Sequence, residues 1–328
     1  MTGQLGSVSY VMPVLNEEKY LENAVLSILQ QDFDGPVEVI LALGPSTDAT
    51  DAIAENLALA YPVTLVRNAA GTTSAGLNAA ISAAKNDVVV RVDAHAKLKA
   101  GYTKLAVEIL NSTGAANVGG VMRAVGHRPF QSAVAWAYNS PFGLGGGTFH
   151  VGGQAGPSDS VYLGVFRRSV LMELGGFDAA VIRGQDWELN LRIRQSGRVV
   201  WFDPRLEVEY HPRSAWKHLA RQFYDTGIWR GELTRRSFKA ANLRYFAPPV
   251  LFTLIAASLI AALFGWTLPL VLPLAYLAAC AGLGIYSGKR VLLGGHLAML
   301  AVLPTMHLNW GAGFIAGFLF RAKPKTGD

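Results

Sequence analysis

The chain has 328 residues, 51% of them hydrophobic, and its mean hydropathy of +0.27 is high for a wholly soluble protein. The single cysteine, Cys280, excludes an internal disulfide and a cysteine-ligated zinc site. The net charge is +6, and basic residues crowd RRSFKAANLR (235–244) just before a long apolar tail. That placement points to anionic membrane lipids and away from nucleic acid. The N-terminal stretch MTGQLGSVSYVMPVLNEE lacks a basic segment followed by a long apolar one. The expectation is no signal peptide and a first domain that stays in the cytoplasm.

Residues 7–12 (SVSYVM) and 37–43 (VEVILAL) are short apolar, β-branched runs of strand length. Between them Asn16 to Gln31 carries Leu21, Val25, Ile28 and Leu29 at helical spacing. Asn16 is expected to cap this helix, with Glu17 and Glu18 in its first turn, where carboxylates favour the helix dipole. Ser46 or Thr47 is expected to cap a second helix to about residue 61; a strand over 63–66, a helix over 73–84 and a strand over 87–92 follow. The alternation predicts an α/β fold, a mostly parallel Rossmann-like sheet with helices on both faces. In such sheets the ligand crevice lies at the carboxyl ends of the strands. Asp93 and His95 directly follow the strand VVVRV and so fall in that crevice. Two readings are open: a turn cap beside a surface histidine, or a carboxylate and an imidazole sharing one divalent cation that bridges two phosphates.

Further on, NSPFGLGGGTFHVGGQAGPSDS (139–160) has the composition of a mobile loop over a site. No G-x-x-x-x-G-K-[ST] phosphate loop and no G-x-S-x-G nucleophile elbow is present. Residues 214–236 mix aromatics and bases as an in-plane interfacial helix does. Residues 246–264 and 267–286 are each long enough to cross a hydrocarbon core of roughly 30 Å. They read as a hairpin with Lys289-Arg290 and the 235–244 cluster on the cytoplasmic side. The stretch 291–320 is longer than one span and holds Pro304 and His307 near its middle. A break near Pro304 is expected, giving two short crossings or a re-entrant pair that return the C-terminus inside. The predicted organisation is a catalytic domain over 1–213, interfacial helices over 214–244 and a membrane region over 245–328.

The blocks VSYVMPVLNEEKYLENAVLSILQ (8–30), GPSTDATDAIAE (44–55), VRVDAHA (90–96) and GGFDAAVIRGQDWELNLRIRQSG (175–197) resemble, in this order and spacing, an inverting glycosyltransferase of family 2. With the tail they resemble membrane-bound glucosyltransferases of the succinoglycan ExoA type. The resemblance implies a GT-A nucleotide-diphospho-sugar transferase fold followed by C-terminal membrane helices. Pro13, Asn16, Glu17, Asp48, Asn78 and Asp93 would then surround the donor nucleotide. Asp93 and His95 would take the place of the family's D-x-D metal motif, holding Mn²⁺ or Mg²⁺. Asp186, in GQDWELN, matches the catalytic aspartate. Glu188, Gln222, Trp229 and Arg230 fall on the acceptor side. One departure concerns the donor base: the family's Asp-Gly-Ser-x-Asp is here Gly44-Pro45-Ser46-Thr47-Asp48, without the leading Asp that accepts a hydrogen bond from uracil.

The expected activity is transfer of a hexose, UDP-glucose being the leading donor, to a hydroxyl of a lipid-linked or polysaccharide acceptor at the cytoplasmic membrane face. A polyprenyl-phosphate glycosyltransferase and a non-catalytic membrane scaffold with a degenerate glycosyltransferase domain are the alternatives.

Overall fold

The computed structural model describes residues 6–322. The chain divides into two compact units. Of the described residues, the first comprises 6–123 and Gly152–Tyr210, and the second comprises Ala124–Val151 and 211–322. The expected 1–213 domain is therefore interrupted: residues 124–151 belong with the C-terminal helices.

In chain order the elements are β1 (Val8–Val14), α1 (Leu21–Leu29), β2 (Val37–Leu43), α2 (Thr50–Ala60), β3 (Val63–Arg67), α3 (Thr73–Ala83), β4 (Val88–Arg91), β5 (Lys97–Leu98), α4 (Tyr102–Thr113) and β6 (Asn117–Ala124). Then come α5 (Pro129–Tyr138), α6 (Pro141–Leu144) and α7 (Thr148–Val151). Next are β7 (Gly156–Pro157), β8 (Tyr162–Arg167), α8 (Arg168–Glu173), α9 (Gln185–Gln195) and β9 (Val200–Tyr210). The chain closes with α10 (Trp216–Arg236), α11 (Ala247–Leu263), α12 (Val271–Ser287) and α13 (Gly295–Phe320).

The first unit is built on one sheet of order β3-β2-β1-β4-β8-β6-β9-β5, with β7 on β9. Strands β3, β2, β1 and β4 run parallel, as the alternation predicts. Beyond β4 the pairing turns antiparallel, in β4–β8, β8–β6, β9–β5 and β9–β7. The central strands are apolar because both faces are covered: every residue of β4 is buried, and Tyr10, Met12, Ile40 and Leu41 have at most 1% exposure. Burial of each large apolar side chain contributes roughly 1.5–3 kcal/mol. Pro13 is accommodated because β1 runs past the end of β4 there. The β1–β4 register stops at Val11↔Arg91, so the missing N–H breaks no ladder bond on that side.

Two caps differ from expectation. Helix α1 begins at Leu21, and Asn16 lies in the preceding loop with φ 55°. Helix α2 begins at Thr50 with Ala49 at its N-cap position, so neither Ser46 nor Thr47 caps it; Asp48 Oδ1 accepts from Thr50 N at 3.0 Å in the turn that leads in.

In the second unit α13 is the central helix, packed by α5, α10, α11 and α12. Its contact with α10 is a reciprocal glycine interlock. Gly227 and Gly231 of α10 lie against the backbone at Trp310 and Phe314, while Gly313 and Gly317 of α13 lie against that at Tyr224 and Ile228. A Cβ at any of the four would overlap the facing backbone. Trp216 Nε1 of α10 also donates to Thr305 Oγ1 of α13 at 2.5 Å. Helix α10 therefore buries one face on α13 and is no bare in-plane helix.

The expected break near Pro304 does not occur, and α13 is continuous over 26 residues. Proline removes one helical hydrogen bond, but packing against neighbouring helices on several sides keeps the helix continuous through it. Among the described residues two helices are long and apolar enough to cross a membrane, Leu243–Leu263 and Leu268–Arg290. Much of their apolar surface is exposed, as at Leu259, Leu263, Val271 and Leu274. The glycine-rich stretch expected as a loop contains two short helices, α6 and α7, and strand β7. The basic end of the expected topology at 323–325 lies outside the described residues.

Candidate active site

At the carboxyl ends of β1 and β2 two loops are stitched together. Asn16 adopts the left-handed conformation, which asparagine tolerates better than most side chains. In that pose its N–H donates to Ser46 Oγ at 3.1 Å, and its Oδ1 accepts from Thr47 N at 2.8 Å. Glu17 N donates to Thr50 Oγ1 at 2.7 Å and Glu18 N to Asp48 Oδ2 at 3.3 Å. The hydroxyl of Thr50, with the backbone N–H groups of Thr50 and Glu18, holds the Asp48 carboxyl below its ordinary range. A Cβ at Gly44 would lie 3.1 Å from Leu15 Cδ1 and 3.3 Å from the Val14 carbonyl, so a side chain here needs its neighbours to shift by a few tenths of an ångström.

Strand β4 ends at Arg91, and Asp93 opens a tight turn closed by Ala96 N donating to Asp93 O at 2.8 Å. The turn presents His95, whose Nδ1 is 2.9 Å from Glu17 Oε1. A carboxylate on one ring nitrogen fixes the orientation of a histidine and directs the other nitrogen, the arrangement that supports metal-ligating imidazoles. Arg91 is 5% exposed and joins the two carboxylates singled out in the sequence. Its Nη2 and Nε donate to Asp93 Oδ1 at 3.0 and 3.2 Å, and its Nη1 donates to Asp186 Oδ1. Burial disfavours charge on the guanidinium, but Asp186 and Asp93 more than offset it, and its pKa is raised.

Asp186 stands in the first turn of α9, just after Gly184 turns the chain at φ 78°. Burial pushes its pKa up to about 6; the Arg91 guanidinium pulls the other way, and Asp93 adds to the rise. The segment leading to it is held by α3. Asn78 Oδ1 accepts from Phe177 N and its Nδ2 donates to Phe177 O, both at 2.8 Å, and Ser74 Oγ donates to Val181 O at 2.9 Å. Helix α9 itself is fixed by a buried amide chain. Asn117 Nδ2 donates to Asn190 Oδ1 at 2.7 Å, and Asn190 Nδ2 donates to Ser160 Oγ at 3.1 Å. Glu188 accepts from Arg192 Nε at 2.6 Å, and Arg192 also donates to the Leu174 and Gly176 carbonyls. It thus braces the turn before α9.

The first unit therefore forms two ionic contacts from these residues, Glu17 with His95 and Asp93 with Asp186 through Arg91, while Asn16 and Asp48 lie in the adjoining loops and Pro13 near the end of β1. Asn78 is engaged in holding Phe177. On α10, in the second unit, Trp229 is buried, and the Arg230 guanidinium lies 4.5 Å from the Tyr245 ring centroid. Gln222 is on the same helix. Sequence reasoning missed Arg91 and Tyr162. Arg91 was detectable as the one charge in a four-residue strand that is otherwise valine. Tyr162 had no such signal. It sits where β8 bulges, Leu163 and Gly164 having φ 58° and 102°, and its hydroxyl lies in electrostatic range of Asp93, Arg91 and Asp186. Burial pushes that phenol well above its ordinary pKa.

The sheet order and the acidic residues at its strand ends define the GT-A class of glycosyltransferase. The chain belongs to glycosyl transferase family 2, whose model matches residues 9–175. It is 30% identical over 310 residues to the succinoglycan biosynthesis protein ExoA of Rhizobium meliloti (strain 1021), covering 93% of this chain and 92% of that protein. A second relative is the dolichyl N-acetyl-alpha-D-glucosaminyl phosphate 3-beta-D-2,3-diacetamido-2,3-dideoxy-beta-D-glucuronosyltransferase of Methanococcus voltae, 24% identical over 241 residues, 70% of this chain and 75% of that one. Among solved structures, the mannosyltransferase PcManGT from Pyrobaculum calidifontis, in complex with GDP-Man and Mn²⁺, shares the fold with a TM-score of 0.66 at 21% identity, over 98% of this chain and 89% of that one.

Proposed function

We propose that the protein is an inverting glycosyltransferase that moves a hexose, glucose first, from a nucleoside diphosphate sugar to a hydroxyl of a lipid-linked or polysaccharide acceptor at the cytoplasmic membrane face. The observation that carries this reading is Asp186, a helix-start carboxylate with its pKa at about 6, tied through Arg91 to Asp93. Such a group is ionised near neutrality yet basic enough to take a proton. Family membership supports glycosyl transfer. The names of the two relatives, one in polysaccharide biosynthesis and one acting on a dolichyl-linked sugar, support the acceptor class. The exposed apolar faces of α11 and α12 support attachment to a membrane.

In this mechanism the acceptor hydroxyl gives its proton to Asp186 while its oxygen bonds to the anomeric carbon. The bond from that carbon to the donor diphosphate breaks on the opposite face, which inverts the configuration. Arg91 holds Asp186 and Asp93 in place. Asp93 and His95 are the residues that would hold a divalent cation, and the chemistry fits: a carboxylate and a carboxylate-oriented imidazole suit Mn²⁺ or Mg²⁺. When bound, the ion neutralises charge on the departing nucleoside diphosphate. Pro13, Asn16, Glu17 and Asp48 shape the nucleotide loops, and Asn78 fixes the segment before α9. The missing aspartate at Gly44 leaves the base open, with UDP-glucose as the first donor to try. The test is transfer to a membrane-lipid extract from a panel of UDP-, GDP- and ADP-sugars with Mn²⁺; neither binding nor turnover with any of them would overturn the reading.

A further inference from the structure

The second unit contains a cavity of about 590 Å³ that the proposed chemistry does not use. Its walls come from α5, the turn 139–142 and the segment that follows α12. The volume is in the range of small-molecule sites. The lining is apolar and aromatic, with Val125, Ala135, Trp136, Phe142 and Leu292, and two cations, Lys289 and Arg290.

The polar side chains of the α5 wall are spent on the protein itself. Ser132 Oγ donates to Pro129 O at 2.9 Å and accepts from Leu292 N at 3.0 Å, which staples the two walls together. The Asn139 amide is closed on the Ala124 backbone at 3.0 and 2.8 Å, and Ser140 Oγ accepts from Phe142 N at 3.2 Å. A neutral sugar needs many directional partners, and these side chains do not supply them. The two cations have no carboxylate partner among the described residues. Arg290 is held 5.3 Å from the Tyr286 ring centroid, and both residues are exposed. The complementary ligand has an apolar body and an anionic head.

Position narrows the class further. Lys289 and Arg290 end the apolar stretch Leu268–Arg290, one of the two long enough to cross a membrane. Charges at such an end meet the membrane at headgroup level. We propose that this cavity binds the phosphate or diphosphate head of a membrane lipid, with Lys289 and Arg290 on the phosphate oxygens and Trp136, Phe142 and Leu292 against the first part of its chain. The proposal rests on the membrane reading above and names the part of the chain that would hold the lipid of a lipid-linked acceptor.

The experiment uses the full-length protein in phosphatidylcholine nanodiscs and an isoprenyl phosphate carrying a diazirine near its head. Labelled peptides are mapped after irradiation without any donor sugar. Labelling is expected in 129–142 and 286–292, falling about tenfold in the K289Q/R290Q variant, the scale of losing a charge-assisted contact. It should return in K289R/R290K and persist in K239Q, which removes a basic-cluster charge outside the cavity. Equal labelling of wild type and K289Q/R290Q, or equal labelling by the diazirine isoprenyl alcohol, would overturn the proposal. So would displacement of the probe by inorganic phosphate alone, which marks a free-anion site. Because no turnover is read, a labelled cavity in a protein inactive with every donor leaves this inference standing. An active enzyme with an unlabelled cavity removes it alone.

Discussion

Arg91 and Asp186 are 95 positions apart in sequence, yet the Arg91 guanidinium donates directly to the Asp186 carboxylate while also holding Asp93. One buried cation thus sets the distance between the proposed base and the proposed metal carboxylate. Two carboxylates brought this close repel each other in a low dielectric, and the guanidinium between them is what makes the arrangement stable.

Asp186→Asn keeps the shape of the side chain and removes its basicity. Transfer to a hydroxyl acceptor should fall by about 10²–10⁴-fold, the range for a lost general base. Donor affinity, measured by nucleotide-sugar titration, should stay near wild type. Retention of most activity would point to an acceptor that needs no base, such as a lipid phosphate.

The activity of the wild-type protein should rise with pH through about 6, since the base works only when ionised and burial raises its pKa to that value. Arg91→Met removes the cation that pulls this pKa down, so the acid limb of the pH–rate profile should move to higher pH. The variant should also melt earlier, because breaking a buried ionic cluster costs roughly 3–5 kcal/mol. A limb that stays in place would show that Arg91 does not tune Asp186. The stability sign follows from the same shift. A carboxyl whose folded pKa lies above its unfolded value loses stabilisation as pH rises from the unfolded value toward 6.

Glu17→Gln leaves the His95 ring in place and weakens the carboxylate that orients it. Mn²⁺ affinity, followed by electron paramagnetic resonance of the free ion, should drop about 10–100-fold. His95→Ala should drop it at least as far. Unchanged affinity in both variants would leave Asp93 as the metal carboxylate and His95 as a neighbour.

The glycine interlock predicts a contrast within one unit. Gly231→Leu places a side chain against the Phe314 backbone, where something must shift, and should sharply lower the melting temperature in detergent. Gly282→Leu, on α12, meets nothing within 4 Å and should be close to neutral. Equal effects would mean that α10 and α13 are not in close contact.

The parallel half of the sheet was legible because each strand is a short, mostly apolar and β-branched run and the connections between them have helical spacing. The antiparallel half was not, since β8 joins β4 and β6 through pairings remote in sequence. Asn16 looked like a cap because caps favour asparagine. Its actual role depends on Ser46 and Thr47, which only the folded sheet brings alongside. Pro304 looked like a break because the cost of proline is local, whereas the packing that offsets it comes from four other helices. Asp93, His95 and Asp186 enter the candidate site from their motifs. The guanidinium joining two of them was visible only as an oddity in a valine strand.

The interlock of α10 with α13 also bears on the order in which the protein is made. Chains emerge from the ribosome N-terminus first and fold by domains as they do. The sheet strands, β9 included, are complete before α10 appears. The glycine face of α10 must then wait while α11 and α12 are synthesised, because its partner, α13, follows both in the chain. A ribosome stalled between 290 and 310 would thus hold a finished sheet beside an unclosed helical unit, with the Gly227 and Gly231 groove open to whatever chaperone or insertase attends the nascent chain.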